Sequence, residues 1–347
     1  LISFRSIRST APLRVNDIGG WTDTWFSGTG NVLNLAVAPG VQVDVVISDN
    51  PRNLCKRVRV FALDFGTDFL VDPDNPDYGT HQLLQGALHS LPIPQDLCLE
   101  IYLKSAVPAG ISVGTSASVC VALIGAVARL TSLPTDPARI AKLAHQVETE
   151  KLLWQSGIQD QICAAFGGVC FIHMPEYPQA EIEKIDLPIV TYLELSKRLC
   201  LIYLGRSHNS SALHEQVIAA LEDKASLSHP LLRLQELPDI ALEYLLQEDL
   251  ESYGQVMVEN NECQRDLHAD LISPYADRVI AIARKYHACG WKVNGAGGQG
   301  GSLSLLADSD PEKQEAMLAE ITALGGGIRR LPVALSREGL EVVSQKL

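Results

Sequence analysis

Residues 108–118 read PAGISVGTSAS and stand directly before VCVALIGAVARL, an apolar run typical of the first turns of a buried helix. A helix leaves its first N–H groups without intrahelical partners, and these donors bind phosphate together with the positive end of the helix dipole. Gly110 and Gly114 leave room for a phosphate to approach the backbone, while Thr115 and Ser116 add hydroxyl groups. Taken alone, the loop fits a phosphate site and an ordinary capped helix equally well.

The composition is that of an ordinary globular protein, with 347 residues, 46% hydrophobic and 20% charged. This length predicts two domains that share a cleft. The formal net charge is -13 and no basic block offsets it, which argues against a protein that grips nucleic acid. No secretion signal is recognised, and the longest apolar run, residues 117–127, is shorter than the roughly 20 residues that cross a bilayer. We therefore expect a cytoplasmic protein that binds neither nucleic acid nor membrane.

Several common site motifs fit the sequence poorly. The eight cysteines are scattered without a C-x-x-C pair, which favours reduced, mostly buried thiols over a zinc site or a disulfide framework. The segment GTSAS at residues 114–118 resembles a nucleophile elbow but ends in serine where that motif needs glycine. A Walker-type phosphate loop, G-x-x-x-x-G-K-[ST], is absent from the sequence.

The first half of the chain predicts strands with interposed helices. Apolar runs at residues 41–47, 58–63 and 98–103 are typical of strands. A helix is predicted to begin at Asp136, a capping residue followed by proline, with its apolar stripe at helical spacing. Glu148 lies beside that stripe, one turn beyond Ala144, and is expected to border its buried face.

The second half predicts an α+β domain of ferredoxin-like type. A domain joint is expected near Pro188, followed by the strand RLCLIYLG. The later pattern predicts, in order, a helix, a short strand, a glycine loop, a strand, a helix and a strand at residues 275–289, 291–294, 294–301, 302–306, 311–324 and 328–335.

The glycine loop at residues 294–301, NGAGGQGG, contains the spacing G-x-G-x-x-G. A dinucleotide fingerprint must open a helix, but here the apolar strand SLSLL follows, so we reject that interpretation. A flexible hairpin is one explanation of so many glycines. The other is a backbone that packs against a ligand and against the loop at residues 108–118.

Three segments taken together resemble the three motifs of the GHMP kinases. They are APLRVNDIGGWTDT at residues 11–24, PAGISVGTSAS at 108–118 and NGAGGQGG at 294–301, and they occur in the family's order. The resemblance implies a two-domain α+β fold. Its N-terminal domain, residues 1–187, would be like ribosomal protein S5 domain 2, and its C-terminal domain, residues 188–347, would be ferredoxin-like.

Within this superfamily the sequence is most similar to sugar kinases. GGWTDT at residues 19–24 resembles the fucokinases, whereas SGIQDQICAAFGGVCFI at 156–172 and LGRSHNSSALHEQ at 204–216 resemble the heptose 7-phosphate kinases. The resemblance implies an enzyme that transfers the γ-phosphate of ATP, with Mg²⁺, to the anomeric hydroxyl of a small sugar or sugar phosphate, most of all a heptose 7-phosphate. A free-sugar kinase, a kinase of a non-sugar alcohol and a non-catalytic sugar or nucleotide sensor are the alternatives.

The resemblance also implies roles for individual residues. Asp160 matches the catalytic aspartate and Arg14 its basic partner; a carboxylate can accept the proton of the attacking hydroxyl, and a guanidinium keeps that carboxylate ionised. Glu148 and Ser116 match the magnesium ligands. ATP-binding residues implied by the second motif are Gly110, Ser112, Val113, Gly114, Thr115 and Ser116. Substrate-binding residues implied by the first and third motifs are Trp21, Thr22, Asp23 and Gly298.

Three positions depart from the family pattern. Ser112 stands where glycine is usual, which restricts the backbone and is expected to weaken the approach of ATP. Gln299 interrupts the third glycine run. Trp21 matches neither the galactokinases nor many heptose kinases, so the motif alone does not select one sugar.

Overall fold

The computed structural model describes residues 4–48, 57–131, 133–207, 215–219 and 228–346. These residues form two sheets with helices packed against them. The first sheet has nine strands: β1 (Phe4–Ile18), β2 (Gly30–Ser48), β3 (Val58–Ala62), β4 (Thr67–Val71), β5 (Cys98–Ser105), β6 (Val169–Glu176), β7 (Gln179–Ile185), β12 (Ala334–Leu335) and β13 (Glu341–Lys346). The second has four: β8 (Leu199–Leu204), β9 (Gly290–Val293), β10 (Ser302–Leu306) and β11 (Ile328–Leu331).

The helices divide between the two halves of the chain. The first half contains α1 (Gln82–His89), α2 (Thr115–Ala128), α3 (Pro137–Gln146) and α4 (Gln159–Phe166). The second contains α5 (Ile189–Arg198), α6 (His229–Leu246), α7 (Leu250–Leu267), α8 (Pro274–Lys285) and α9 (Pro311–Ala323). Among the described residues, no helix combines the length and the apolar character that crossing a membrane requires.

Helix α2 lies at the centre of the first half. Its residues are apolar on every side and almost all are buried, as expected for a helix enclosed by other elements. It packs on β1 and β2, and α1, α3 and α4 surround it. The helix starts after Gly114, whose φ of 67° turns the chain into it, so the buried helix predicted after the small-residue loop is confirmed.

The other elements predicted for the first half also form. The strands predicted at residues 41–47 and 98–103 lie within β2 and β5, and the strand predicted at 58–63 forms as β3, which ends one residue earlier. Helix α3 begins as predicted, because Asp136 Oδ1 accepts the Arg139 N–H at 2.9 Å and Pro137 occupies the first helical position.

The second sheet has the ferredoxin-like topology. Its strand order is β11-β8-β10-β9, every neighbouring pair is antiparallel, and helices connect β8 to β9 and β10 to β11. Together the two halves confirm the predicted α+β class and two-domain architecture. The sequence analysis missed α5, which stands between Pro188 and the strand predicted to follow it.

The prediction of a single strand at residues 328–335 is wrong. The structure has two short strands, β11 and β12, separated at Pro332, because proline has no N–H to donate to a sheet. Strand β12 pairs with β2 and β13 pairs with β1, so the last part of the chain lies in the first sheet. Residues 334–346 were predicted with the second domain. The joint near residue 188 stays a prediction.

Candidate active site

A cleft of about 720 Å³ lies where the three glycine-containing loops meet. The end of β1 and the turn after it form one wall, and the loop before α2 forms another. Other lining residues come from the segment 153–160 and from the start of the third loop. The cleft therefore brings together segments from both halves of the chain.

The loop before α2 lines the cleft from Gly110 to the first turn of the helix. The side chain of Val113 is buried, and its carbonyl oxygen accepts the backbone N–H of Arg14 at 3.0 Å, which ties the loop to β1. Ser112 has a φ of 60°, a conformation that costs a non-glycine residue roughly 1–2 kcal/mol. This backbone geometry explains why glycine suits that position.

The third loop packs against the loop at residues 108–118, in agreement with the second explanation of its glycines. Gly295 and Ala296 line the cleft, and a Cβ added to Gly295 would lie 3.2 Å from the Cβ of Ser112. Gly298, in contrast, is absent from the described lining of the cleft: its N–H donates to Leu271 O at 3.1 Å. Its position does not fit the predicted contact with substrate.

Arg14 and Asp160 form an ion pair at the floor of the cleft. Arg14 Nε donates to Asp160 Oδ1 at 2.7 Å, and the arginine is buried whereas the aspartate side chain is 31% exposed. Asp160 is the second residue of α4 and lies against the start of α2, since a Cβ added to Gly114 would lie 3.2 Å from Asp160 Cγ. An accessible carboxylate thus stands directly beside the N-terminus of α2.

Asp17 is a cleft residue that the sequence analysis missed. Arg14 Nη1 lies 3.0 Å from Asp17 Oδ1, and the buried Lys292 donates to the same oxygen at 2.8 Å. Burial raises the pKa of Asp17, but the charges of Arg14 and Lys292 outweigh it and hold the pKa below its ordinary value. In a regular strand Arg14 and Asp17 would face opposite sides. The register shift after Val15, with Asn16 at a φ of 52°, brings them together.

Glu148 and Ser116 both face the cleft. Glu148 lies in a π-helical turn, Val147–Lys151, that continues α3. Its Oε2 accepts the Ser156 hydroxyl at 2.6 Å and the Gln161 amide at 2.8 Å. Burial, with a contribution from the charge of Asp160, raises the pKa of Glu148 to about 7. The neighbouring Glu150 is exposed, as expected for a solvated side chain.

The residues of the GWTDT segment have different positions. Trp21 and Asp23 line the cleft, and both oxygens of Asp23 accept bonds from Gln159, at 3.1 Å from its N–H and 3.2 Å from its side-chain amide. Burial raises the pKa of Asp23 to about 6. Thr22 is buried away from the described lining, and its hydroxyl lies 2.7 Å from Gly19 O, within the turn itself. Thr22 is thus placed to stabilise the turn and does not reach the cleft.

Other lining residues carry no strong sequence signal. Leu153 and Trp154 are exposed apolar residues at the cleft, in the segment that leads to α4. Within the segment 204–216 that resembles the heptose kinases, residues 208–214 lie outside the described residues, whereas Glu215 lines the cleft. Further lining residues that the sequence analysis did not assign are Thr24, Gln155, Ser156, Gly157 and Gln159.

The chain is similar to known proteins of one family. The GHMP kinases N terminal domain model matches residues 81–168, and the GHMP kinases C terminal model matches residues 241–325. A mevalonate kinase of Thermococcus sibiricus is 32% identical over 250 residues, which cover 70% of this chain and 68% of the relative. The D-glycero-alpha-D-manno-heptose 7-phosphate kinase of Campylobacter jejuni is 24% identical over 316 residues, covering 88% of this chain and 90% of the relative.

The fold agrees with these matches. The crystal structure of a D-glycero-D-manno-heptose 1-phosphate kinase from Bacteriodes thetaiotaomicron superposes with a TM-score of 0.74 at 20% identity, covering 98% of this chain and 100% of that one. Both domain models match in the order expected for the family. A relative at 32% identity extends over two thirds of its own length. This chain belongs to the GHMP kinase family.

Proposed function

We propose that this kinase transfers the γ-phosphate of ATP to the anomeric hydroxyl of a sugar. The observation that carries the proposal is the position of Asp160, which is accessible from the cleft, paired with Arg14 at 2.7 Å and adjacent to Gly114 at the start of α2. Phosphoryl transfer depends on positioning, on charge stabilisation and on a group that orients or deprotonates the attacking hydroxyl. Asp160, paired with Arg14, supplies the group that orients or deprotonates the attacking hydroxyl.

The start of α2 is the proposed phosphate site. The N–H groups of Thr115 and Ser116 lie in the first helical turn and point away from the helix body, toward an approaching anion. Positive φ values at Gly110, Ser112 and Gly114 curve the loop so that its backbone lines the cleft. The guanidinium of Arg14 adds a fixed positive charge beside the transferred group.

The oxygen donors in the cleft fit a magnesium ion. Magnesium keeps several waters and binds through one or two carboxylates together with substrate phosphates. Glu148 and Ser116 would hold it, and the cation would keep the buried Glu148 carboxylate ionised near neutral pH. A bound magnesium ion neutralises charge on the triphosphate. Among the described residues no cluster of three acidic, histidine or cysteine side chains forms a metal site on its own, which agrees with an ion that arrives with ATP.

The other wall of the cleft suits a polyhydroxylated acceptor. Asp23 is buried and hydrogen-bonded through Gln159, so its carboxylate is held in one orientation toward hydroxyl groups. Trp21 offers an aromatic face beside it. The similarity to heptose 7-phosphate kinase over 90% of that relative favours a heptose 7-phosphate as the sugar. A free sugar, as in the fucokinases, is the alternative within this class.

A second candidate acceptor is a non-sugar alcohol. The mevalonate kinase relatives are more similar to this chain, at 32% identity, than the heptose kinase relative, at 24%. Their matched segment is shorter, covering 70% of this chain against 88%.

An acceptor panel tests the proposal. ATP-dependent ADP release would be measured with heptose 7-phosphate, free heptose, fucose, galactose and mevalonate, and the product's phosphorylated position would be read by NMR. We expect turnover with a sugar and phosphate at C1. Turnover with mevalonate but with none of the sugars, or a product phosphorylated at another carbon, would contradict the proposal. Binding of ATP and sugar that raises the melting temperature without ADP release would identify a sensor.

A further inference from the structure

Oδ1 of Asp17 is the meeting point of three segments of the chain. Arg14 Nη1 lies 3.0 Å away, Lys292 Nζ donates to it at 2.8 Å and the N–H of Gly295 donates to it at 3.2 Å. Arg14, Asp17 and Lys292 are 4%, 2% and 1% exposed. One carboxylate oxygen therefore interacts with a cation from β1, a cation from β9 and a backbone N–H of the third loop.

This cluster crosses between the two sheets. Asp17 lies near the end of β1 in the first sheet, and Lys292 lies on β9 in the second, 275 residues later. The charges of Arg14 and Lys292 balance those of Asp17 and Asp160. Burying such a network stabilises a protein little in comparison with apolar packing, whereas removal of one member leaves an unpaired buried charge. A buried network of this kind beside the cleft points to a role besides stability.

The geometry of Arg14 identifies that role. Its Nε is committed to Asp160, and its Nη1 is committed to Asp17, so the two contacts together fix the plane of the guanidinium. Without Lys292, the full charge of the buried Asp17 would compete with Asp160 for Arg14. Burial lowers the pKa of Lys292, and the nearby Asp17 only partly opposes this.

We propose that Asp17 and Lys292 are positioning residues for phosphoryl transfer, which hold Arg14 toward Asp160 and hold Gly295 against the phosphate loop. The inference rests on the proposed role of Asp160. It predicts that the second domain contributes to turnover through a buried lysine that does not line the described cleft.

The test compares Lys292→Met with Tyr253→Phe. Tyr253 is fully buried and its hydroxyl accepts Asn16 Nδ2 at 2.6 Å, so its loss disturbs the same region without touching Arg14. We expect Lys292→Met to lower kcat by about 10–100-fold with the KM for ATP changed by less than about threefold. Tyr253→Phe should leave kcat within about twofold of wild type. Lys292→Arg, which restores a cation, should recover part of the lost kcat.

The double variant Asp17→Leu, Lys292→Met, which removes both charges and the acceptor oxygen of Asp17, separates positioning from stability. Removing both charges relieves the unpaired buried charge, so the melting temperature should return toward that of wild type. Turnover should stay low, because Arg14 has lost its second partner. Recovery of kcat together with the melting temperature, or equal kcat in Lys292→Met and Tyr253→Phe, would overturn the inference. All ratios use whichever acceptor wild type phosphorylates, so a wrong sugar assignment does not affect them.

Discussion

Arg14 Nε lies 2.7 Å from Asp160 Oδ1, although 146 residues separate them in the sequence. The contact arises because β1 and α4 both pack against α2, which brings the end of β1 to the first turn of α4. The start of α2 lies beside the pair, through Gly114. The site thus combines a fixed cation, an accessible carboxylate and a helix N-terminus.

Asp160→Asn should lower turnover by about 10²–10⁴-fold while ATP still binds, since it removes the proton acceptor but leaves the phosphate loop intact. ADP release gives the turnover and calorimetry gives the ATP affinity. Asp68→Asn is the matched control, because Asp68 also pairs with an arginine, Arg59, at 2.7 Å but lies in the β3–β4 hairpin. Unchanged turnover in Asp160→Asn would remove this carboxylate from the mechanism.

Gly114→Ala should impair catalysis as well as stability. Gly114 has a φ of 67°, and its new Cβ would lie 3.2 Å from Asp160 Cγ. We expect kcat to fall at least about tenfold because Asp160, the proposed catalytic carboxylate, is displaced. Gly66→Ala is the control: Gly66 has a φ of 61° and open space around the added Cβ, so the substitution should lower the stability by about 1 kcal/mol and leave turnover unchanged. If Gly114→Ala and Gly66→Ala lowered turnover equally, backbone strain would explain the loss and displacement of Asp160 would not.

The stability of the magnesium-free protein should fall as the pH rises, because of Glu148. Burial raises its pKa from 4.5 to about 7, so the folded protein holds a proton that the unfolded chain has released. The stabilisation is fully present below pH 4.5 and is lost as the pH rises through 7. The loss is on the order of 3 kcal/mol.

Glu148→Gln has no such titration. Its melting temperature relative to wild type, measured in EDTA, should rise across this pH range and level off above it. Glu150→Gln, a change at the exposed neighbour, should show a pH-independent difference from wild type. A flat difference for Glu148→Gln would show that the carboxyl of Glu148 does not titrate in this range.

Asp23→Asn should weaken acceptor binding selectively. The buried carboxylate is held by Gln159, and hydrogen bonds from substrate hydroxyls to a charged group contribute roughly 1.5–3 kcal/mol, about 10–100-fold in affinity. Steady-state kinetics should therefore show a raised KM for the acceptor with the KM for ATP unchanged. A variant that raises both KM values equally would argue for a general distortion of the cleft.

The motifs predicted much of this arrangement because their local requirements are strict. The loop before α2 needs small residues at positive φ, and the third loop needs glycine where Gly295 approaches Ser112, so both are visible in the sequence. The helical capping signal at Asp136 likewise appears directly as α3. Such features depend on a few adjacent residues.

The parts that sequence reasoning missed depend on irregular backbone or distant partners. Asp17 would point away from Arg14 in a regular strand, and only the register shift around Asn16 reverses this. Lys292 acquires its role from an aspartate in the other half of the chain. Thr22 and Gly298 were assigned to the substrate through their motif neighbours, but a motif specifies a turn whose residues do not all face the same side.

The pairing of β13 with β1 has a consequence for biogenesis. The ribosome makes β1 long before its edge partner β13, since Thr10 pairs with Glu341. Until β13 has been made, that side of β1 presents unpaired backbone groups to any other extended peptide. Completion of the first sheet therefore waits for the second domain to emerge, which makes nascent chains of this protein candidates for chaperone binding during translation.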